Sequence, residues 1–153
     1  MKHLCHNLTE TNQVAQEFLS SLKPKSQNLK AIIVGLKGDL GSGKTAFTQL
    51  VAKNLGVKVA LTSPTFVLMK SYKIATEATE RFNLSVKNLI HIDAYRLKSG
   101  QDLLRLGWAE ISADPKNLIL VEWPEIIADI WQPDFQMINF EFIDEQTRKI
   151  AVN

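Results

Sequence analysis

Between Thr9 and Leu22 the apolar residues Val14, Phe18, Leu19 and Leu22 fall on one stripe, with Thr9 or Thr11 placed to cap the start, so the spacing predicts an amphipathic helix. The polar run Lys23-Pro24-Lys25-Ser26-Gln27-Asn28 ends it, and the short apolar run Ala31 to Leu36 predicts a buried strand. Thr45 to Asn54 carries helix formers, with Phe47, Leu50 and Val51 on one side and Gly56 past the end. Phe66 to Tyr72 and Leu89 to Asp93 read as strands, and the polar stretch between them, Lys73 to Lys87, as an exposed loop or an elaborated hairpin turn. Gln101 to Trp108 suggests a short helix and Asn117 to Glu122 a buried strand. Met137 to Phe142 and Arg148 to Val152 pair as a closing hairpin across Asp144-Glu145-Gln146. Strands alternating with helices predict an α/β fold, a three-layer sandwich around a mostly parallel sheet with antiparallel additions and the C-terminal hairpin.

Length and charge narrow the picture further. The 153 residues suffice for one well-buried core and are too few for two ordinary domains, so residues 1–153 are expected to form a single domain. A formal charge of +2 is far from the basic excess of a chain that grips nucleic acid alone. No apolar run reaches the roughly 20 residues of a membrane helix, and no apolar signal region follows Lys2, so the expectation is a cytoplasmic protein with no membrane partner. The single cysteine, Cys5, has no partner for an internal disulfide.

The chemistry is concentrated where the first strand meets the next helix. Gly38-Asp39-Leu40-Gly41-Ser42-Gly43-Lys44-Thr45 fits G-x-x-x-x-G-K-[ST] and lies in the strand-loop-helix context that the motif requires. Its glycines let inward amides and a helix N-terminus hold a phosphate, Lys44 adds charge at the terminal phosphates, and the Thr45 hydroxyl is suited to Mg²⁺. The bound nucleotide is therefore expected to be Mg-ATP. Two apolar strands end in acids: Leu118 to Val121 leads to Glu122, a candidate cation ligand, direct or through water, and Leu89 to Ile92 leads to Asp93. Asp93 could orient water, act as a base or support the metal shell, whereas His91, two residues earlier, reads as a buried structural histidine. Thr62 and Thr65 flank Ser63-Pro64 where a γ-phosphate sensor or a Pro-fixed turn would sit, and Trp123 could cover the nucleotide or pack at the sheet end.

These segments resemble, in order, the motif series of the TsaE family of bacterial tRNA threonylcarbamoyladenosine biosynthesis proteins: the Gly38–Thr45 loop, Ser63-Pro64-Thr65-Phe66, His91-Ile92-Asp93-Ala94-Tyr95-Arg96-Leu97, and Leu120-Val121-Glu122-Trp123-Pro124. The resemblance runs from Thr9 to the last hairpin. It implies a P-loop ATPase that works with the TsaB–TsaD complex, and with tRNA indirectly through it, in forming the threonylcarbamoyl modification. It further implies Thr45 and Glu122 as magnesium ligands, Asp93 as the catalytic aspartate, Ser63-Pro64-Thr65 as a switch, Trp123 as a nucleotide neighbour, and Glu10 or Thr11 near the adenine end. Two positions depart from the family pattern: Lys73 to Lys87 is longer than its usual turn, and Ala46 stands where a second threonine commonly follows the motif.

Two other functions fit a P-loop. A small-molecule kinase would need a lid of clustered arginines, and Arg81, Arg96, Arg105 and Arg148 are scattered. An ATP-dependent binding switch without hydrolysis would have no use for Asp93.

Overall fold

In the computed structural model, which describes residues 1–22, 29–58 and 68–153, the strands form one seven-stranded sheet in the order β1-β7-β6-β2-β5-β4-β3. The strands are β1 (Lys2–Cys5), β2 (Ile32–Lys37), β3 (Met69–Lys73), β4 (Asn88–Asp93), β5 (Asn117–Glu122), β6 (Gln136–Phe142) and β7 (Arg148–Val152). Pairings β6–β2, β2–β5 and β5–β4 are parallel, while β3, β7 and β1 add antiparallel edges. The expected mostly parallel sheet with antiparallel additions is thus present.

Continuous apolar runs form β2, β4 and β5 because both of their faces are covered. One face carries Val34, Leu36, Leu89, Leu118 and Leu120 beneath α1 (Leu8–Ser21) and α2 (Lys44–Asn54). The other carries Ile33, Ile90, Ile92, Ile119 and Val121 against α4 (Gly100–Arg105), α5 (Trp108–Ala113) and the 3-10 turn Pro124–Ile127. This makes three layers. Helices α1 and α2 lock together through Phe18 and Phe47, whose rings are 5.8 Å apart, and through a polar clasp in which Asn54 Nδ2 donates to Asn12 Oδ1 at 2.7 Å.

Four sequence expectations shift. The first helix is capped by Asn7 rather than Thr9 or Thr11: Asn7 Oδ1 accepts from the Glu10 amide at 2.9 Å while Glu10 Oε2 accepts from the His6 amide at 2.6 Å, a capping box whose return bond falls one residue before the cap. Strand β1 has no counterpart in the sequence reading; four residues of mixed polarity give no periodic signal, and they become a strand only because β7 supplies an edge. Of the two readings offered for Lys73 to Lys87, the elaborated hairpin connection holds, between antiparallel β3 and β4, and the exposed loop does not. The connection contains α3 (Thr76–Phe82), which buries Ala78 and Phe82 four residues apart, followed by buried Leu84 and Val86. The segment reads as polar because one short helix turns only two side chains inward. The helix expected over Gln101 to Trp108 is two helices, α4 and α5, broken at Gly107. The break at Lys23 to Asn28, the first part of the Phe66 to Tyr72 strand and the Thr62 to Thr65 segment, Thr65 included, lie outside the described residues. Among the described residues no helix is long and apolar enough to cross a membrane.

Candidate nucleotide site

Parallel β2, β5 and β4 end together, and the chain emerging from β2 becomes the Gly38–Thr45 loop before entering α2. Gly43 is the residue before α2 and holds φ +103°, a conformation that glycine adopts without strain. The first turn of α2 therefore presents its free amides beside the strand ends, where the helix dipole favours an anion. Ser42 is buried, and its Oγ has no hydrogen-bond partner among the described residues. A buried orphan hydroxyl costs about 1–3 kcal/mol, which a phosphate oxygen or water would relieve.

Lys44 is also buried, folded back so that Nζ donates to the carbonyls of Gly38 and Asp39 and lies 4.4 Å from the centre of the Trp123 ring. Burial pulls its ammonium below the ordinary lysine value, opposed by the charges of Glu122, Glu125, Asp39 and Asp93. Trp123 reaches Lys44 because the chain turns sharply after β5: its backbone is left-handed, φ 60° and ψ 50°, and its ring also meets Tyr95 at 5.1 Å. That conformation in a bulky residue is strained and must be held by its surroundings.

The acids stand side by side. Asp93 pairs with Glu122 in the β4–β5 register, and both are buried at the strand ends. Thr45 Oγ1 donates to Glu122 Oε1 at 3.2 Å, and His91 Nε2 lies 3.0 Å from the same oxygen. Asp93 Oδ1 accepts from the Tyr95 amide at 3.0 Å. Each carboxylate is thus anchored through one oxygen, with the second left without a protein hydrogen bond among the described residues.

These donors suit a hard divalent cation. Mg²⁺ is commonly held by one or two protein oxygens with substrate phosphates and water completing its shell, and the Thr45 hydroxyl with the Glu122 carboxylate is such a set. Among the described residues no cluster of three His, Cys, Asp or Glu side chains could cage a metal by itself.

Beside Ser42 and Gly43 opens a cavity of about 310 Å³. Cys5, Leu8, Ala46, Phe140 and Ile150 give it apolar walls, and Asn7, Thr11, Gln146 and Arg148 bring polar groups. Its size and mixed lining suit a planar heterocycle. Thr11 lines it, whereas Glu10, engaged in the capping box, does not. The structure thus gathers Gly38, Asp39, Leu40, Gly41, Ser42, Gly43, Lys44, Thr45, Asp93, Glu122 and Trp123 at one end of the sheet, with Thr11 across the cavity. Sequence reasoning missed Cys5, Asn7, Gln146 and Arg148 as cavity walls. No local signal marks them, because they arrive from the chain's two ends through the β1–β7 pairing.

The family model described as threonylcarbamoyl adenosine biosynthesis protein TsaE matches residues 5–150. The chain is 37% identical over 150 residues to the tRNA threonylcarbamoyladenosine biosynthesis protein TsaE of Rickettsia felis, covering 97% of this chain and 77% of that protein. To the protein of the same description from Rickettsia prowazekii it is 36% identical over 152 residues, covering 99% and 93%. Among solved structures, the crystal structure of Bacillus subtilis YdiB superposes with a TM-score of 0.70 at 26% identity, covering 99% of this chain and 83% of that one.

Proposed function

Because the chain belongs to the TsaE family of tRNA threonylcarbamoyladenosine biosynthesis proteins, we propose that it is a Mg²⁺-dependent ATPase, one P-loop domain acting in the cytoplasm, whose turnover supports a TsaB–TsaD complex in modifying tRNA. The observation that carries this reading is the Thr45–Glu122 pair at 3.2 Å, set at the mouth of the phosphate loop with Asp93 on the adjoining strand.

In this reading the loop amides and the α2 N-terminus bind the phosphates, and Lys44 leaves the Gly38 and Asp39 carbonyls to meet the terminal phosphate. Thr45 and Glu122 would hold the cation, which would supply positive charge against the phosphate oxygens. Asp93, anchored through Oδ1, orients a water and takes its proton as the water oxygen bonds to the γ-phosphorus. The bond from that phosphorus to the β-phosphate oxygen breaks, releasing ADP and inorganic phosphate, and Asp93 returns the proton to solvent. Trp123 shields Lys44 and the phosphates, and the cavity by Thr11 takes the base. Thr65 is retained as a candidate phosphate contact on its sequence context alone.

The test is ATP hydrolysis by the purified chain, alone and with TsaB–TsaD and tRNA, while the modified nucleoside is followed over many turnovers. Hydrolysis stimulated by the partners and coupled to sustained modification is expected. Hydrolysis indifferent to them, or phosphate delivered to a small molecule, sinks the reading. Asp93→Ala is expected to keep nucleotide binding and lose hydrolysis.

A further inference from the structure

We propose that His91 is a positioning residue: its Nε2–H fixes the Glu122 carboxylate and thereby sets how tightly the site holds its divalent cation. This deepens the nucleotide-site reading above and rests on it.

His91 lies opposite Leu120 in the parallel β4–β5 pair, so Glu122, two residues on, is its diagonal neighbour on the same face and within reach of a long side chain. Both residues are closed from solvent, His91 at 0% exposure and Glu122 at 4%. In the run Leu89-Ile90-His91-Ile92 the histidine is the one polar member, on a strand otherwise built for packing.

The ring's chemistry is one-sided. An ionised carboxylate oxygen can only accept, so the 3.0 Å contact places a hydrogen on Nε2, while Nδ1 has no hydrogen-bond partner among the described residues. A histidine kept for packing would be better replaced by an apolar residue, since this one leaves a buried ring nitrogen unsatisfied. Among the described residues its single side-chain hydrogen bond goes to Glu122 Oε1, the atom that also accepts from Thr45. Two donors from different elements thus fix one oxygen of Glu122 and leave Oε2 without a protein partner among the described residues. Without His91 only the Thr45 hydroxyl would orient this flexible side chain, and that hydroxyl is itself a proposed cation ligand. Outer partners of this kind typically tune metal affinity about 10- to 100-fold.

The test uses the full chain and a fluorescent ATP analogue, titrated with Mg²⁺ and, separately, bound in EDTA; Mn²⁺ followed by electron paramagnetic resonance gives a second reading of cation affinity. His91→Leu is expected to raise the Mg²⁺ midpoint about 10- to 100-fold while leaving metal-free nucleotide affinity unchanged. His91→Gln, whose amide nitrogen can stand close to the Nε2 position, is expected to restore the midpoint. A native midpoint in His91→Leu beside a shifted one in Glu122→Gln overturns the proposal alone. So does a parallel loss of affinity in EDTA, which would mark a merely structural role, or a glutamine variant as impaired as the leucine one. If His91→Leu does not fold, His91→Asn against His91→Gln decides, because the shorter amide cannot reach Glu122; equal midpoints overturn the proposal. Nucleotide binding that ignores Mg²⁺ in the native chain, or a native midpoint in Glu122→Gln, removes the underlying site reading and this proposal with it.

Discussion

Replacing Gly38 by alanine adds one methyl group at the place where the phosphate loop leaves β2. An alanine Cβ there would lie 2.5 Å from the Phe140 carbonyl oxygen, 2.6 Å from Ser42 Oγ and 3.0 Å from Phe140 Cβ. Ordinary contact needs about 3.5 Å, so roughly an ångström must be found. Phe140 cannot supply it, because β6 is hydrogen-bonded between β2 and β7 with Phe140 opposite Ile150. The loop itself must move, taking Ser42 and the Lys44-binding carbonyls with it. Overpacking of this kind costs about 1–3 kcal/mol. For a chain of this size that lowers the melting temperature by about 2–12 °C. The functional loss should be larger, since a displacement near 1 Å at a positioned site can cost about 100-fold.

The assay is thermal unfolding with and without Mg-ATP. Native protein at about 100 times its Kd should gain about 2.7 kcal/mol from the ligand, and Gly38→Ala almost none. Gly41→Ala is the control. It has nothing within 4 Å but holds φ +77°, so it should lose about 1–2 kcal/mol through the backbone alone, without the collision at Phe140. A Gly38→Ala variant with native melting and a native ligand-induced rise would refute the reasoning.

Further expectations follow from the same geometry. Phe82→Ala should cost about 3–5 kcal/mol in urea unfolding, because Phe82 is buried in the α1/α2-side core; a loss below 1 kcal/mol would mean that Lys73 to Lys87 behaves as the exposed loop the sequence suggested. Lys44→Met should abolish the nucleotide-induced rise in melting temperature while leaving the free protein folded. Since burial lowers the folded-state pKa of Lys44, the unfolded chain binds its proton more readily, and stability should rise as pH climbs from that depressed value towards 10.5; the rise should be missing in Lys44→Met. Asp144 is held below the usual carboxylate range by the Gln146 amide first and Thr147 next. Its contribution is present above the unfolded carboxylate pKa and lost as pH falls through the lower folded one. Carbon NMR should show its midpoint below that of a free aspartate, and Asp144→Asn should soften the acid limb of the stability curve.

What the sequence determined by itself is the part whose physics is local. A phosphate loop is legible because its glycines, lysine and threonine act through backbone conformation and a helix start within eight consecutive residues. The buried strands β2, β4 and β5 are legible because strands covered on both faces must be apolar throughout. Only the tertiary structure decided which distant residues meet. Nothing in Leu89 to Asp93 states that the His91 ring will meet Glu122; that follows from the β4–β5 register. The cavity beside Ser42 and Gly43 exists because β1 pairs with β7, bringing Asn7 and Thr11 from one end of the chain to Gln146 and Arg148 near the other. Helix α3 and strand β1 were hidden for the same reason: their polarity patterns are too short to declare a buried face until the rest of the protein provides the surface they cover.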